Sequence, residues 1–206
     1  MSYKTMLIHV DNSRHVEAGI YAAAQIAAIE NAHLIADLVV LGQPDPDEPP
    51  LTVMSDFPEH VVMKCRAPVM IIPYTTQCDS IGKTVLIAWD GSEEATQAVH
   101  NAIPLLQHAT VVKIAMFDSS SQPEIHEDSS EADLVLYLAR QHIDAQVIHQ
   151  NTAYDTGKEL LSLATELDSD MLVMGCFGHS RFRQMLLGGT TRTILESTTI
   201  PVLISH

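Results

Sequence analysis

The sequence predicts an α/β protein: a doubly wound three-layer sandwich around a five-stranded parallel sheet, preceded by a reduced repeat of the same fold. Three observations carry that expectation. Short apolar runs alternate with longer amphipathic ones, the pattern of successive βα units. Segments of the first half recur in the second at constant spacing. A glycine-punctuated stretch follows the fourth strand-like run of the second half and leads into a helix.

In the second half, residues 84–89 read as a buried strand closed by Asp90-Gly91-Ser92. Ser92 is a good N-cap, and Glu93 or Glu94 stands in the following first turn, where the helix dipole favours negative charge. Ala95, Val99, Ala102, Ile103 and Leu106 then recur at helical spacing to about Gln107. Residues 110–117 form the next strand. The Ser- and acid-rich stretch 118–130 reads as a mobile, solvated loop, with a partner-binding segment as the second reading. Helix 131–141, strand 145–150, helix 156–167 and strand 171–174 come next. Helix 190–197 and strand 201–204 close the unit. Right-handed crossovers turn these five strands and four helices into a doubly wound sheet.

The first half repeats part of this. Residues 4–11 lie over 83–90 at a constant offset of 79, with Lys-Thr at the start and Asp at the end of both, and Ser13 falls on Ser92. Residues 37–42 lie over 170–175, and 67–71 over 200–204, both at an offset of 133. Two separate strands agreeing on one register mark a true repeat. The difference, 133 − 79 = 54, is the length the first half lacks. The missing piece projects onto strand two, helix two, strand three and much of helix three. Residues 1–78 are therefore expected to be a truncated repeat and 79–206 a complete domain. Three strands give little area for burying the long Ala/Ile-rich helix expected over 16–30, so its apolar face must rest on the second unit or on a second chain.

Composition narrows the function classes. Of 206 residues, 46% are hydrophobic and 18% charged, which supports a folded core rather than wholesale disorder. With 26 Asp+Glu against 11 Lys+Arg the net charge is −15, which argues against gripping the phosphate backbone of DNA or RNA. The longest apolar stretch, 20–29, falls well short of the roughly 20 residues that span a bilayer. The opening Met1-Ser2-Tyr3-Lys4 lacks a signal-peptide layout. Cys65, Cys78 and Cys176 are too scattered for a disulfide framework, so a reducing, cytoplasmic setting fits best. The histidines show no His-x-x-x-His spacing. His100 and His108 are eight apart on one helix, and His142 and His149 straddle a helix–strand junction, so packed or solvated histidines are expected and no metal site.

The stretch most suited to binding chemistry is Gly175-x2-Gly178-x9-Gly188-Gly189-Thr190-Thr191. Gly175 stands where a strand end permits close backbone approach by a ligand, and Gly178 permits a turn that other residues resist. Gly188, Gly189, Thr190 and Thr191 open a helix, so unpaired N–H groups and the positive dipole end point outward, the natural seat of a phosphate. Arg181, Arg183 and Arg192 gather within twelve positions of an otherwise acidic chain. Asp90, ending the first strand, and Met116, near the end of the second, are expected at that same edge, where doubly wound sheets bind ligands. There Asp90 can accept from a ribose hydroxyl or a base amino group. The plainer reading stays open: glycines at strand ends make tight turns, and Thr190 and Asp90 cap helices without any ligand. Neither a P-loop nor Gly-x-Gly-x-x-Gly is present.

Taken together, the run Val-Leu-Ile-Ala-Trp-Asp90-Gly91-Ser92, the glycine spacing and the terminal Ile200-Pro201-Val-Leu-Ile204 resemble the UspA-type domain of universal stress proteins. The resemblance covers residues 82–206 and, in degraded form, 1–74, as a tandem member with a truncated first repeat; the full-length tandem type would have a complete first domain. It implies an adenine nucleotide alpha hydrolase-like fold and, in members that bind one, ATP or a related nucleotide (ADP or AMP), with or without Mg. Carried over, Ala88, Trp89, Asp90 and Met116 surround adenine. Met174 and Gly175 lie by the ribose, and Gly178, Gly188, Gly189, Thr190 and Thr191 cradle phosphates. The family motif ends Gly-Ser or Gly-Thr, whereas position 189 is Gly, so weakened phosphate binding is expected. The resemblance also implies antiparallel pairing of last strands into two-fold dimers. Strands 69–72 and 202–204 could make that contact inside one chain, and a homodimer covering the truncated lobe is expected besides.

The first repeat supplies an internal comparison. At offset 133, Gly178 falls on Asp45, Gly188 on Ser55, Gly189 on Asp56 and Thr190 on Phe57. Asp45, Asp47 and Glu48, among prolines that lack N–H groups, exclude a triphosphate there. One site per chain is expected. Three function classes remain: a stress-response protein that signals through nucleotide occupancy, a nucleotide-free scaffold or dimerisation module, and an enzyme, at most a slow ATPase. Asp90 is a candidate base and His179 lies near the expected phosphates. No nucleophile–base pair or carboxylate pair for a metal accompanies them, so no catalytic residue is assigned. Cys176 reads as a buried small apolar residue rather than a redox-sensitive thiol.

Overall fold

A computed structural model describes residues 6–8, 37–45, 47, 57–65, 67–75, 80–119, 128–152, 155–176 and 189–206. In chain order the elements are β1 (Met6–Ile8), β2 (Leu38–Gly42), α1 (Phe57–Lys64), β3 (Val69–Ile72), β4 (Thr84–Trp89), α2 (Glu93–Leu106), β5 (Val111–Ser119), α3 (Asp128–Arg140), β6 (Ala145–Thr152), α4 (Thr156–Glu166), β7 (Met171–Gly175), α5 (Gly189–Ser197) and β8 (Val202–Ser205). The eight strands form one sheet in the order β1-β2-β3-β8-β7-β4-β5-β6. Strands β4 to β8 give the five-stranded parallel, doubly wound unit, in which the chain winds outward through β5 and β6 and then reverses through β7 and β8.

The strands form because their residues are apolar on both faces, as a sheet covered on both sides demands. Val85, Ile87 and Trp89 of β4 face α2 and α3, packing with Ala95, Val99, Leu134 and Leu138. Leu86 and Ala88 face the other way, toward Leu160 and Leu163 of α4 and Ile194 of α5. Helix α2 starts at Ser92, whose hydroxyl accepts from Ala95 N at 3.1 Å. Asp170, just before β7, accepts from Thr84 N at 2.9 Å, Lys83 N at 3.0 Å and Ser80 Oγ at 3.1 Å. One carboxylate thus fixes the entry of β4 beside the entry of β7.

Three strands of the first half repeat the geometry of the second. Adding 79 to β1 and 133 to β2 converts Met6↔Leu38 and Leu7↔Val39 into Val85↔Met171 and Leu86↔Leu172. Adding 133 converts the β2–β3 register Val39↔Val69 through Gly42↔Ile72 into Leu172↔Val202 through Gly175↔Ser205. The bond Gln43 N→Ile72 O at 2.8 Å becomes Cys176 N→Ser205 O, also 2.8 Å. The two sets join where β3 pairs antiparallel with β8, as Val69↔Ile204, Met70↔Leu203 and Ile71↔Val202. Met70 and Leu203 are themselves 133 apart, so that pair sits on a local two-fold axis and the junction is self-complementary.

Two expectations need correction. The stretch 118–130 is not all loop: β5 runs to Ser119 and α3 starts at Asp128. Strand β6 extends as far as Thr152 and pairs with Asp118 and Ser119, so cross-strand backbone bonding carries polar residues into the sheet. The glycine opening helix 190–197 is itself helical, since α5 begins at Gly189. Residues 9–11 of the first expected strand, the expected helix 16–30 and residues 120–127 lie outside the described residues.

Candidate functional site

The order of the strands reverses between β4 and β7, and ligands of doubly wound sheets bind beyond the carboxyl ends at such a point. Trp89 and Asp90 leave β4 there, Gly175 and Cys176 leave β7, and Met116 stands beside Trp89 on β5. The last paired residues of β4 and β7 are Ile87 and Val173, so Trp89 and Gly175 stand two residues further on, at one level of the edge.

Asp90 is exposed and its Oδ1 accepts from Ser92 N at 3.0 Å and from Ser92 Oγ at 2.6 Å. Gly91 between them has φ +75°, a conformation that favours glycine. The carboxylate therefore shapes the turn into α2 through one oxygen. Gly175 has a different constraint: a Cβ there would stand 2.5 Å from Ala95 N and 2.6 Å from Glu94 C. The close approach that this glycine permits is that of the first turn of α2. On the other face, Met174 is buried with Cys176, Ile194 and Leu195, while Ala88 is half-buried against the same cluster.

Helix α5 opens at Gly189, where a Cβ would meet nothing within 4 Å among the described residues. Thr190 is half-buried, and Thr191 is buried and hydrogen-bonded with the Cys176 thiol. Burial pushes that thiol up to about 12, the Thr191 bond opposing the shift and the Glu94 charge adding to it. A thiol held so far above the usual range is not a nucleophile near neutrality, consistent with a packing residue. Arg192 is exposed and its Nε donates to Glu196 at 2.7 Å, so its charge is committed one turn further along the helix. That hydrogen bond and the Glu196 charge raise its pKa, with Glu59 of α1 contributing as well.

Ala88, Trp89, Asp90, Met174, Gly175, Gly189, Thr190 and Thr191 thus stand at or next to the ends of β4 and β7 or at the opening of α5, whereas Met116, expected near the end of its strand, lies inside β5, which continues to Ser119 paired with β6. Gly178, Gly188, His179, Arg181 and Arg183 lie outside the described residues. In the first repeat, Asp45 Oδ1 accepts from Asp47 N at 2.9 Å, an acidic turn where the second repeat has Gly178. Sequence reasoning missed two polar groups. Gln43, the counterpart of Cys176 at offset 133, is buried and donates from Nε2 to Leu195 O at 2.9 Å, closing the far end of α5 from the other half of the chain. Trp89 Nε1 is buried and has no hydrogen-bond partner among the described residues. The repeat alignment could have flagged Gln43, a polar residue opposite a thiol; no sequence signal marks the indole. No group of three or more metal-binding side chains occurs among the described residues.

A doubly wound sheet whose β7 runs into a glycine-spaced connection defines the class. The model of the universal stress protein family matches residues 82–206, and the chain belongs to that family. A universal stress protein of Synechocystis is 27% identical over 149 residues, 70% of this chain and 49% of its own length. The chain thus spans about half of that curated relative. A universal stress protein from Archaeoglobus fulgidus superposes with a TM-score of 0.66 at 15% identity, over 98% of this chain and 85% of its own, a likeness of fold. Another universal stress protein, solved in complex with cAMP, is 25% identical with a TM-score of 0.49, over 62% of this chain and 98% of its own.

Proposed function

We propose that this chain is a regulatory stress-response protein that binds one adenine nucleotide (ATP, ADP or AMP, with or without Mg) at the carboxyl edge of β4 and β7. Occupancy, rather than turnover, is the signal. The observation that carries this reading is the opening of α5: its first amide groups start at a glycine whose Cβ position is open space among the described residues, beside the reversal point of the sheet. Free N–H groups and the helix dipole together favour an anion there. Asp90 supports the nucleoside end, since both of its described bonds use Oδ1 and leave an exposed carboxylate oxygen for a ribose or amino donor.

In this reading residues 1–78 are a truncated, ligand-free repeat, 79–206 the binding domain, and the protein works in the cytoplasm. No helix among the described residues is long and apolar enough to cross a membrane. A second copy pairs with the chain elsewhere than at β3 and β8, which already satisfy each other.

A nucleotide-free scaffold is the second reading, and specific contacts favour it. Gly175 is needed for helix packing and Asp90 for the α2 turn, so part of the motif has work without a ligand. Thermal shift with ATP separates the two. The wild type should melt several degrees higher with saturating ATP, since about 2.7 kcal/mol is gained at a hundredfold excess over Kd. Gly178→Asp, which copies Asp45 of the first repeat, should abolish the shift while leaving the unliganded melting point in place. Gly189→Ser, entering open space, should enlarge it by restoring a hydroxyl donor. No shift in any of the three would establish the scaffold.

A further inference from the structure

Positions 43 and 176 are equivalent in the two repeats. Each directly follows the last residue of its strand, and each backbone N–H donates to the neighbouring strand at 2.8 Å, Gln43 to Ile72 O and Cys176 to Ser205 O. Both side chains are buried, and both hold the same helix. Cys176 is hydrogen-bonded with Thr191 in the first turn of α5, whereas Gln43 donates from Nε2 to Leu195 O in its last turn at 2.9 Å. The direction of the strands explains the difference. Because β3 and β8 are antiparallel, the carboxyl end of β2 lies at the end of the sheet where β7 begins, and there α5 finishes. Leu195 O belongs to that final turn, where carbonyls run out of helical donors. The bond has a cost on the Gln43 side. Its Oε1 is buried and has no hydrogen-bond partner among the described residues, a penalty that an apolar side chain in the same place would avoid. The second repeat does avoid it, with a thiol at the equivalent position.

Resting on the nucleotide reading above, we infer that Gln43 is a positioning residue for the anion end of that site, so that the first repeat sets how tightly the second holds phosphate. Gln43 touches no ligand; it acts through α5. A helix of nine residues is about 13 Å long and stiff along its axis, so a restraint on Leu195 also fixes where the amides of Gly189, Thr190 and Thr191 stand. The first repeat reaches α5 by packing as well, since Val62 of α1 shares one core with Ile194 and Leu195. The nucleoside end is built instead from the close of β4 and the turn into α2, to which Gln43 makes no printed bond of its own side chain: its Nε2 is committed to α5. Coupling of this kind is reciprocal, so an anion seated on the first turn must act back on the Gln43 bond.

The test uses the full chain and three probes: ATP, adenosine, which lacks phosphate, and inorganic tripolyphosphate, which lacks the nucleoside. Calorimetric titration compares wild type with Gln43→Met, which keeps an unbranched side chain and deletes the donor together with the unpaired oxygen. Tripolyphosphate and ATP should each bind about fivefold more weakly to the variant, the scale of one hydrogen bond. Adenosine should bind both proteins equally. Equal tripolyphosphate affinity in the two proteins overturns the inference while leaving nucleotide binding intact. Equal weakening of all three probes overturns it in favour of a general packing role. A wild type that binds none of them overturns the nucleotide reading itself and this inference with it. A second measurement needs no variant: the side-chain amide resonances of Gln43 in the wild type should shift with tripolyphosphate and stay in place with adenosine. Resonances unmoved by bound tripolyphosphate overturn the coupling.

Discussion

At the scale of single residues, the glycines of the motif separate by what stands in front of them. A Cβ on Gly175 would stand 2.5 Å from the backbone N of Ala95, and backbone cannot yield as the end of a side chain can. Gly175→Ala should therefore destabilise the protein by about 3 kcal/mol through overpacking, read as a lower denaturation midpoint. An unchanged midpoint would mean that α2 moves away freely. Cys176 shows how burial turns a candidate redox residue into a packing one. Its thiol ionises near 12 in the folded chain against 9.0 for the ordinary group, so the folded state retains a proton that the unfolded state releases. The stability tied to this group is whole below pH 9 and is lost between pH 9 and about 12 as pH rises. Thermal melts across that window should fall with pH, and Cys176→Ala should flatten part of the fall.

At the scale of elements, the α4–α5 pair determines where the candidate anion site lies. Helix α4 is capped by Asp155, whose Oδ1 accepts from Gly157 N at 3.0 Å and Lys158 N at 3.3 Å. The other oxygen accepts from Thr193 Oγ1 of α5 at 3.4 Å. Gly157 lets the helices touch, its missing Cβ lying 2.8 Å from Thr193 Cβ. Asp155→Ala should cost about 1 kcal/mol in cap energy, a fall of about 3 °C in Tm for a chain of this size. If α5 is held chiefly by α4, the same variant should also blunt the ATP-induced shift, and an undiminished shift would put the control of α5 elsewhere. Gln43 is the other restraint, reaching α5 at its last turn from the first repeat. These contacts were not legible in the sequence, because Asp155 and Gln43 lie 38 and 152 residues from their partners. The elements themselves were legible: in β4 and β7 continuous apolar runs fit strands covered on both faces, and in α2 a Ser cap and a 3.6-residue repeat agree.

At the scale of the whole molecule, β3 and β8 make inside one chain a self-complementary antiparallel pairing, the kind of contact that a two-fold axis generates. If a second copy covers the shortened first half as proposed, light scattering after gel filtration should give a mass of about 45 kDa, twice 22.6 kDa. A mass of 22.6 kDa would show that the internal pairing suffices. The charge of −15 keeps any such contact away from the most acidic surface, so the dimer should strengthen as salt is added.

The amino-acid sequence by itself determined the strand–helix alternation, the two repeat offsets and the position of the glycine-spaced connection. Each of these is written in local periodicity and in the spacing of residues with special backbone freedom. Only the tertiary structure decided which groups stand opposite one another: that Gly175 is filled by the protein's own helix, that Gln43 closes α5 and that, among the described residues, Gly189 faces open space and the buried Trp89 indole has no partner. Those facts depend on packing between segments far apart in the chain, where a shift of an ångström separates a contact from a clash.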